Sequence, residues 1–289
     1  VALRDAIDAG LIDGPRMAVA GGYFTIPEGG GTLTGLAPEV ELPAAFTRGV
    51  VNGPEDARAR TRDFLQHRVD FIKMIATGAV LTVGTEPGRQ ELSEDEMRAI
   101  VEEARKYGRK VTAHAHGAEG AKAAIRAGVQ SIEHGSILDD EALSMMKKRG
   151  VVLVADIYNG DYIDEVGTRD GWPEETLRKN RDTTETQRAV FRKAVKMGVK
   201  IAYGTDAGVF PHGENARQLP YMVTYGMTPM QAIQSATINA ADLIGWRKDV
   251  GSITPGKYAD MIAIDGDPLA DIAALTGAKI VMKGGEIVD

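Results

Sequence analysis

Cysteine is absent from the 289-residue chain, so disulfides and thiolate metal sites are excluded and the redox compartment stays open. No apolar run approaches the roughly 20 residues that a helix needs to cross a membrane. Charge of one sign never gathers in a block. The 34 basic and 41 acidic side chains alternate along apparent helices, and a net charge of −7 argues against a general nucleic-acid binder. There is no Gly-rich phosphate loop after any strand-like run, no internal repeat and no low-complexity segment. An initiator Met is missing too: the chain opens on "VALRDAIDAG", a helical pattern already under way, so a preceding segment is expected and localisation is not legible. What remains, 43% apolar and 26% charged residues, is ordinary globular composition, enough for one large domain or one large and one small.

Short apolar runs alternate with amphipathic stretches from about residue 16 to 245. "RMAVAG" (16–21) is expected as a strand, followed by a Gly- and Pro-rich loop (21–54) and a helix in "EDARARTRDFLQHR". The strand "VDFIKMIATG" comes next, then a helix with Ser93 as N-cap, Glu96 as its capping-box partner and Gly108 as its stop. Strands are expected in "KVTAHAHG", "VQSIEHG", "VVLVADIY" and "VKIAYGTDAG", separated by helices in "AEGAKAAIRAG", "DDEALSMMKKRG" and "TETQRAVFRKAVKMG". Thr228 and Pro229 open a last helix, "PMQAIQSATINAADLIG".

Such alternation predicts an α/β fold with a parallel sheet under helices. Six strand–helix units plus an opening helix fit a (β/α)8 barrel of the TIM type lacking its first strands; a doubly wound open sheet is the competitor. Residues 1–249 form the expected barrel, strands 3 to 8. Residues 250–289, with short strands in "GSITPGKYADMIAIDGDPL" and "AKIVMKGGEIVD", form an expected small C-terminal β subdomain of sandwich type.

Lys73 poses a problem inside "FIKMI", because an unpaired ammonium in a core costs several kcal/mol or loses its proton. Period-2 alternation puts Thr112, His114 and His116 on one face of their strand and the small apolar Val111, Ala113 and Ala115 on the other. His134 ends the next strand and Asp206 the last, so metal-capable side chains fall at the carboxyl ends of strands, where barrel enzymes place their chemistry. A single such residue is more often a satisfied core His, a turn Asp or a Lys reaching the rim. Three of only five histidines with a carboxylate and an interior Lys are a poor coincidence. An unprotonated lysine amine can add carbon dioxide, and the carbamate anion can bridge two divalent metals. Imidazole and carboxylate donors without thiolate favour zinc or a similar ion.

The stretches "ALRDAIDAGLIDGPRM", "FIKMIATG", "VTAHAHG", "SIEHG", "YGTDAG", "HGENARQL", "SATINAADLIG" and "GSITPGKYADMIAIDGDPL" resemble the amidohydrolase superfamily, and within it the prolidase-like and imidazolonepropionase-like branch. The resemblance implies a carboxylated Lys73 as bridging ligand, His114 and His134 on one metal, and Asp206 as ligand of the other and general base. It places His116 where it can polarise the scissile carbonyl or steady its oxyanion. The family's first-strand His-x-His pair has no counterpart before Lys73, and His67 stands alone. A two-metal centre is therefore expected in the complete protein, and one ion held by Lys73, His114 and His134 if the chain ends here.

Contacts to substrate are expected from Tyr158, from His212, Glu214 and Arg217 in "HGENARQL", and from Arg89 in the loop after the Lys73 strand. The expected activity is metal-dependent hydrolysis of amide bonds in dipeptides or N-acyl amino acids, prolidase- or carboxypeptidase-like. Cyclic-amide opening of the imidazolonepropionase type is one alternative, and a non-catalytic metal- or small-molecule-binding barrel another. Partners are a small-molecule substrate and further copies of the chain, because a sheet with open edges makes a poor monomer. Neither nucleic acid nor membrane is expected.

Overall fold

Four parallel strands lie side by side in sequence order: β1 (Phe71–Ile75), β2 (Lys110–Gly117), β3 (Ser131–Ile137) and β4 (Val152–Val154). The computed structural model describes residues 1–37, 39–277 and 280–288. Register puts Lys73 opposite Thr112, Ile75 opposite His114 and Ala115 opposite His134, which brings the chemistry-bearing side chains to one level of the sheet. Single parallel bridges extend the sheet at both edges, Phe24 beside Met74 and Ile201 beside Leu153. Five of the six strands expected from the sequence thus take part in the parallel sheet, the last only as a single bridge, and a bridge at Phe24 fills the remaining position.

Helices connect the strands, as parallel pairing requires. Helix α1 (Ala2–Asp8), a short α2 (Ala44–Thr47) and α3 (Pro54–Gln66) precede β1. Helix α4 (Glu94–Lys106) carries the capping box foreseen for it: Ser93 Oγ accepts from the Glu96 amide and the Glu96 side chain accepts from the Ser93 amide. Helices α5 (Ala118–Ala127) and α6 (Asp140–Arg149) each end on a glycine in the left-handed region, Gly128 (φ 104°) and Gly150 (φ 70°). The outward faces of the strands, including Ile72, Met74, Val111, Ala113 and Ile132, join one core with Met97, Ile100, Ile125, Leu143 and Met146 from the helices. Each large side chain buried there contributes on the order of 1.5–3 kcal/mol. The alternation of β2 is as expected: Ala113 and Ala115 are in that core, and the histidines face the other way.

Several expectations need correction. Residues 16–20 form no strand; Val19 is fixed by backbone and side-chain bonds to Asp70, and Phe24 takes the place beside β1. The "VKIAYGTDAG" strand shrinks to the Ile201 bridge, held by the Leu153 amide to Lys200 oxygen and the Ala202 amide to Leu153 oxygen. In "VVLVADIY" the strand stops at Val154, and an unforeseen helix, α7 (Asn159–Asp170), follows at once. Helix α8 (Glu174–Met197) starts ten residues earlier than "TETQRAVFRKAVKMG". Beyond α9 (Gln218–Thr224), the single helix expected over 229–245 is α10 (Pro229–Gln234) and α11 (Ala240–Ile244) joined by a π turn at Ser235–Asn239.

After residue 250 the chain forms an antiparallel sheet of β5 (Met261–Ala263), β6 (Ile280–Lys283) and β7 (Glu286–Val288). Ala278, Lys279 and Asp289 of the expected subdomain lie outside the described residues. Arg16 ties this sheet to the rest of the chain. Its Nε donates to Asp260 Oδ2 at 2.9 Å, and its guanidinium lies 3.7 Å from the centre of the Tyr258 ring.

Candidate metal centre

At the carboxyl ends of the parallel strands, His114, His116 and His134 gather with ring centres 4.5–4.7 Å apart. One ring nitrogen of each lies within 4.8 Å of the others, and a ring nitrogen of His134 lies within the same distance of carboxylate oxygens of Asp156 and Asp206. Lys73 lines the same cavity of about 480 Å3. The sheet is irregular here for a reason. The β2–β3 register shifts between Ala115 and Gly117, and His134 and Gly135 both take left-handed conformations (φ 68° and 61°). Asp206 is left-handed as well (φ 52°). A non-glycine residue held there costs about 1 kcal/mol or more, and such strain concentrates where side-chain direction matters.

Hydrogen bonds settle which ring nitrogens are free. The Gly78 carbonyl can only accept, so the 3.1 Å contact to His114 Nε2 leaves the Nδ1 lone pair available. Asp156 Oδ2 takes His134 Nδ1 at 3.0 Å, which leaves Nε2. His116 Nδ1 lies 2.8 Å from Ser136 Oγ, and its backbone amide donates to Thr77 Oγ1. Asp156 also accepts from Asn159 Nδ2 at 2.9 Å and, on Oδ1, from Gln187 Nε2 at 2.8 Å.

The electrostatics keep two imidazoles neutral and one disposed to charge. Burial pushes His114 and His116 well below the ordinary histidine range, helped by neighbouring rings and by the Lys73 ammonium. Burial works on His134 in the same direction, but the attraction and hydrogen bond of Asp156 outweigh it and the net shift is upward. Asp156 answers with a net downward shift: burial raises it, and His134 and Gln187 more than offset that. The ring nitrogens left over on His114 and His134, two carboxylates and a lysine amine form a donor set that fits a divalent ion, with no thiolate in it among the described residues.

The sequence-based site residues divide into two groups. Lys73, His114, His116, His134 and Asp206 line one cavity. Tyr158, Arg89, His212 and Arg217 do not line it. Tyr158 is buried against Phe210 and Tyr221, with its hydroxyl 3.2 Å from Arg217 Nη1. Arg89, His212 and Arg217 are exposed, and Arg217 also pairs with Glu214 at 3.3 Å. Asp156, Ser136, Asn159 and Gln187 line the cavity without having been foreseen. For Asp156 a signal existed: a carboxylate inside the apolar run "VVLVADIY" is as anomalous as Lys73 inside "FIKMI". Gln187, from the middle of a long amphipathic helix, carries no such mark.

Comparison with known proteins places the chain among relatives of one kind. The amidohydrolase family model matches residues 1–288. Ochratoxinase of Aspergillus niger is 33% identical over 302 aligned positions, covering 98% of this chain and 62% of the relative. Imidazolonepropionase of Geobacillus thermodenitrificans is 31% identical over 205 positions, covering 67% of this chain and 43% of the relative. The chain thus spans less than two thirds of the length of these curated relatives. Among solved structures, a Xaa-Pro dipeptidase with methionine bound in its active site superimposes with a TM-score of 0.94 at 40% identity, covering all of this chain and 71% of that one.

Proposed function

The chain belongs to the amidohydrolase family, and from that premise we propose that it carries the centre of a metal-dependent hydrolase that cleaves C–N bonds in dipeptides or N-acyl amino acids. One observation carries the proposal: three buried or half-buried imidazoles, two carboxylates and a lysine from successive parallel strands and their following loops meet in a single cavity. The likeness to a Xaa-Pro dipeptidase supports the substrate class. The parallel sheet supports a (β/α)8-barrel frame, with residues 250–289 as part of a β-sandwich.

In this proposal Lys73, carboxylated on Nζ, would hold divalent metal together with His114 Nδ1, His134 Nε2 and Asp206, with zinc or a similar first-row ion as the cation. A divalent ion bound there supplies positive charge that acidifies water and polarises a carbonyl. The chain's own residues do the rest. Asp206 takes the proton from the attacking water and delivers it to the leaving nitrogen. In the tautomer with its proton on Nε2, His116 accepts from the Ser136 hydroxyl 2.8 Å away on Nδ1 and donates from Nε2 to the carbonyl oxygen as negative charge grows on it. Apolar wall residues such as Tyr23, Val80, Leu81 and Ile163 receive the substrate's side chain and exclude water. Arg89 is the proposed partner of a substrate carboxylate, and Tyr158, His212 and Arg217, likewise outside the cavity lining, are the further proposed substrate contacts.

The test is a screen of the full-length, metal-analysed protein against X-Pro and other dipeptides, N-acyl amino acids and cyclic amides, beside an Asp206→Asn variant. Dipeptide or N-acyl hydrolysis lost at least 1,000-fold in Asp206→Asn, with His-held metal retained, is the expected result. Hydrolysis confined to cyclic amides would move the assignment to the imidazolonepropionase type. Bound metal without turnover of any of these compounds would make the protein a binding barrel, and unchanged turnover by Asp206→Asn would refute the mechanism.

A further inference from the structure

Asp156 has more donors aimed at it than a metal ligand can use. Oδ2 accepts from His134 Nδ1 and from Asn159 Nδ2; Oδ1 accepts from Gln187 Nε2. Both oxygens are occupied by N–H groups, and the carboxylate is buried, with 8% of the residue exposed. Gln187 Nε2 lies in addition 3.3 Å from the main-chain oxygen of His134. One side chain of α8 therefore grips both the carboxylate that holds the His134 ring and the backbone that carries it. That backbone is in the left-handed region, which residues other than glycine seldom occupy (φ 68°).

Resting on the metal-centre proposal, we propose that Asp156 and Gln187 are positioning residues: Gln187 locks the Asp156 carboxylate, and Asp156 fixes the His134 ring with its proton on Nδ1 and its Nε2 lone pair turned into the cavity. Asp156 is on this account not itself a ligand, although its oxygens are close enough to those of Asp206 to be one. The physical logic is preorganisation. A ring that may rotate or carry its proton on the other nitrogen must be reset before it can bind a cation, and partners behind a ligating histidine typically set metal affinity by 10- to 100-fold. Helix α8 packs directly on β3, so the lock reaches the site from a rigid element and not from a loop.

The experiment measures zinc affinity of the metal-stripped full-length protein by chelator competition, alongside the melting temperature of the metal-free form, for wild type, Gln187→Ala, Gln187→Glu and Asp156→Asn. Gln187→Ala should weaken zinc about 10-fold and Asp156→Asn 10- to 100-fold. Gln187→Glu, which sets a second carboxylate against Asp156, should do at least as much damage as Gln187→Ala. The metal-free melting temperature of Gln187→Ala should stay close to wild type, and loss of kcat should exceed any change in KM. Wild-type affinity in both Gln187→Ala and Asp156→Asn overturns the positioning role while leaving the metal centre standing. A fall in metal-free stability that accounts for the whole effect also overturns it. A wild-type protein that binds no zinc or other divalent ion overturns the metal centre and this inference with it.

Discussion

Lys73 decides most at the scale of single residues. It is half-buried in β1, its neighbours Ile72 and Met74 are fully buried, and its ammonium depresses the surrounding imidazoles. A lysine tolerated there only as a cation would set positive charge against three histidines; as a carbamate it becomes an anion that metal and imidazole can share. Lys73→Ala should therefore lose bound metal, and acetate or propionate at millimolar levels should restore part of the activity by filling the space. Full metal occupancy in the variant, with no response to added acid, would remove the bridging role. Lys73, His114, His134 and Asp206 were legible in the sequence because each breaks a local pattern or ends a strand. Asp156 is equally anomalous, but its apolar run reads in sequence as a strand continuing to Tyr158. Gln187 was not legible at all, because a polar residue on an amphipathic helix looks like surface until the neighbouring strand is in place.

Among the elements, those with strong local signals formed where expected. Helix α4 has its capping box, and β2 matches "KVTAHAHG" end to end. Where local signals were weak, tertiary pairing chose otherwise. "RMAVAG" alternates like a strand, but the ladder next to β1 goes to Phe24, in an aromatic and β-branched stretch hidden between Gly and Pro. The α3–α4 contact offers a measurement of its own. Glu103 on α4 accepts from Arg62 of α3 and from Lys106, and these partners lower its pKa from 4.5 to about 2. A depressed folded-state pKa adds stability above the unfolded value, and that stability drains away as pH falls from about 4.5 towards 2. Glu103→Gln should thus cost about 1 kcal/mol at pH 7, discounted because Arg62 and Lys106 are half exposed. The gap in urea midpoint from wild type should narrow below pH 4.5; a gap constant down to pH 2.5 would show that packing and not charge is lost.

For the molecule as a whole, the sequence conveyed the alternation of strands and helices and the end of the sheet that bears the chemistry. It conveyed poorly the edges, where the expected strand over 199–208 is a single bridge and the one over 16–21 gives way to a bridge at Phe24. The reason is that edge pairing depends on what lies beyond it, whereas the central strands are specified by their own buried faces. Among the described residues no helix is long and apolar enough to cross a membrane. The assembly of copies expected from the open edges can be read by light scattering on the same protein used for metal analysis.

The account stands on a carboxylated lysine joined with histidines from two neighbouring strands around divalent ions. The most direct measurement is a crystal structure of the full-length protein grown with zinc and bicarbonate, with anomalous diffraction at the zinc edge. The account predicts a carbamate on Lys73 Nζ with an anomalous peak within about 2.2 Å of the carbamate oxygen and of the His114 and His134 rings. An unmodified ammonium at Lys73, with metal bound elsewhere and the His114 and His134 nitrogens unligated, would contradict it.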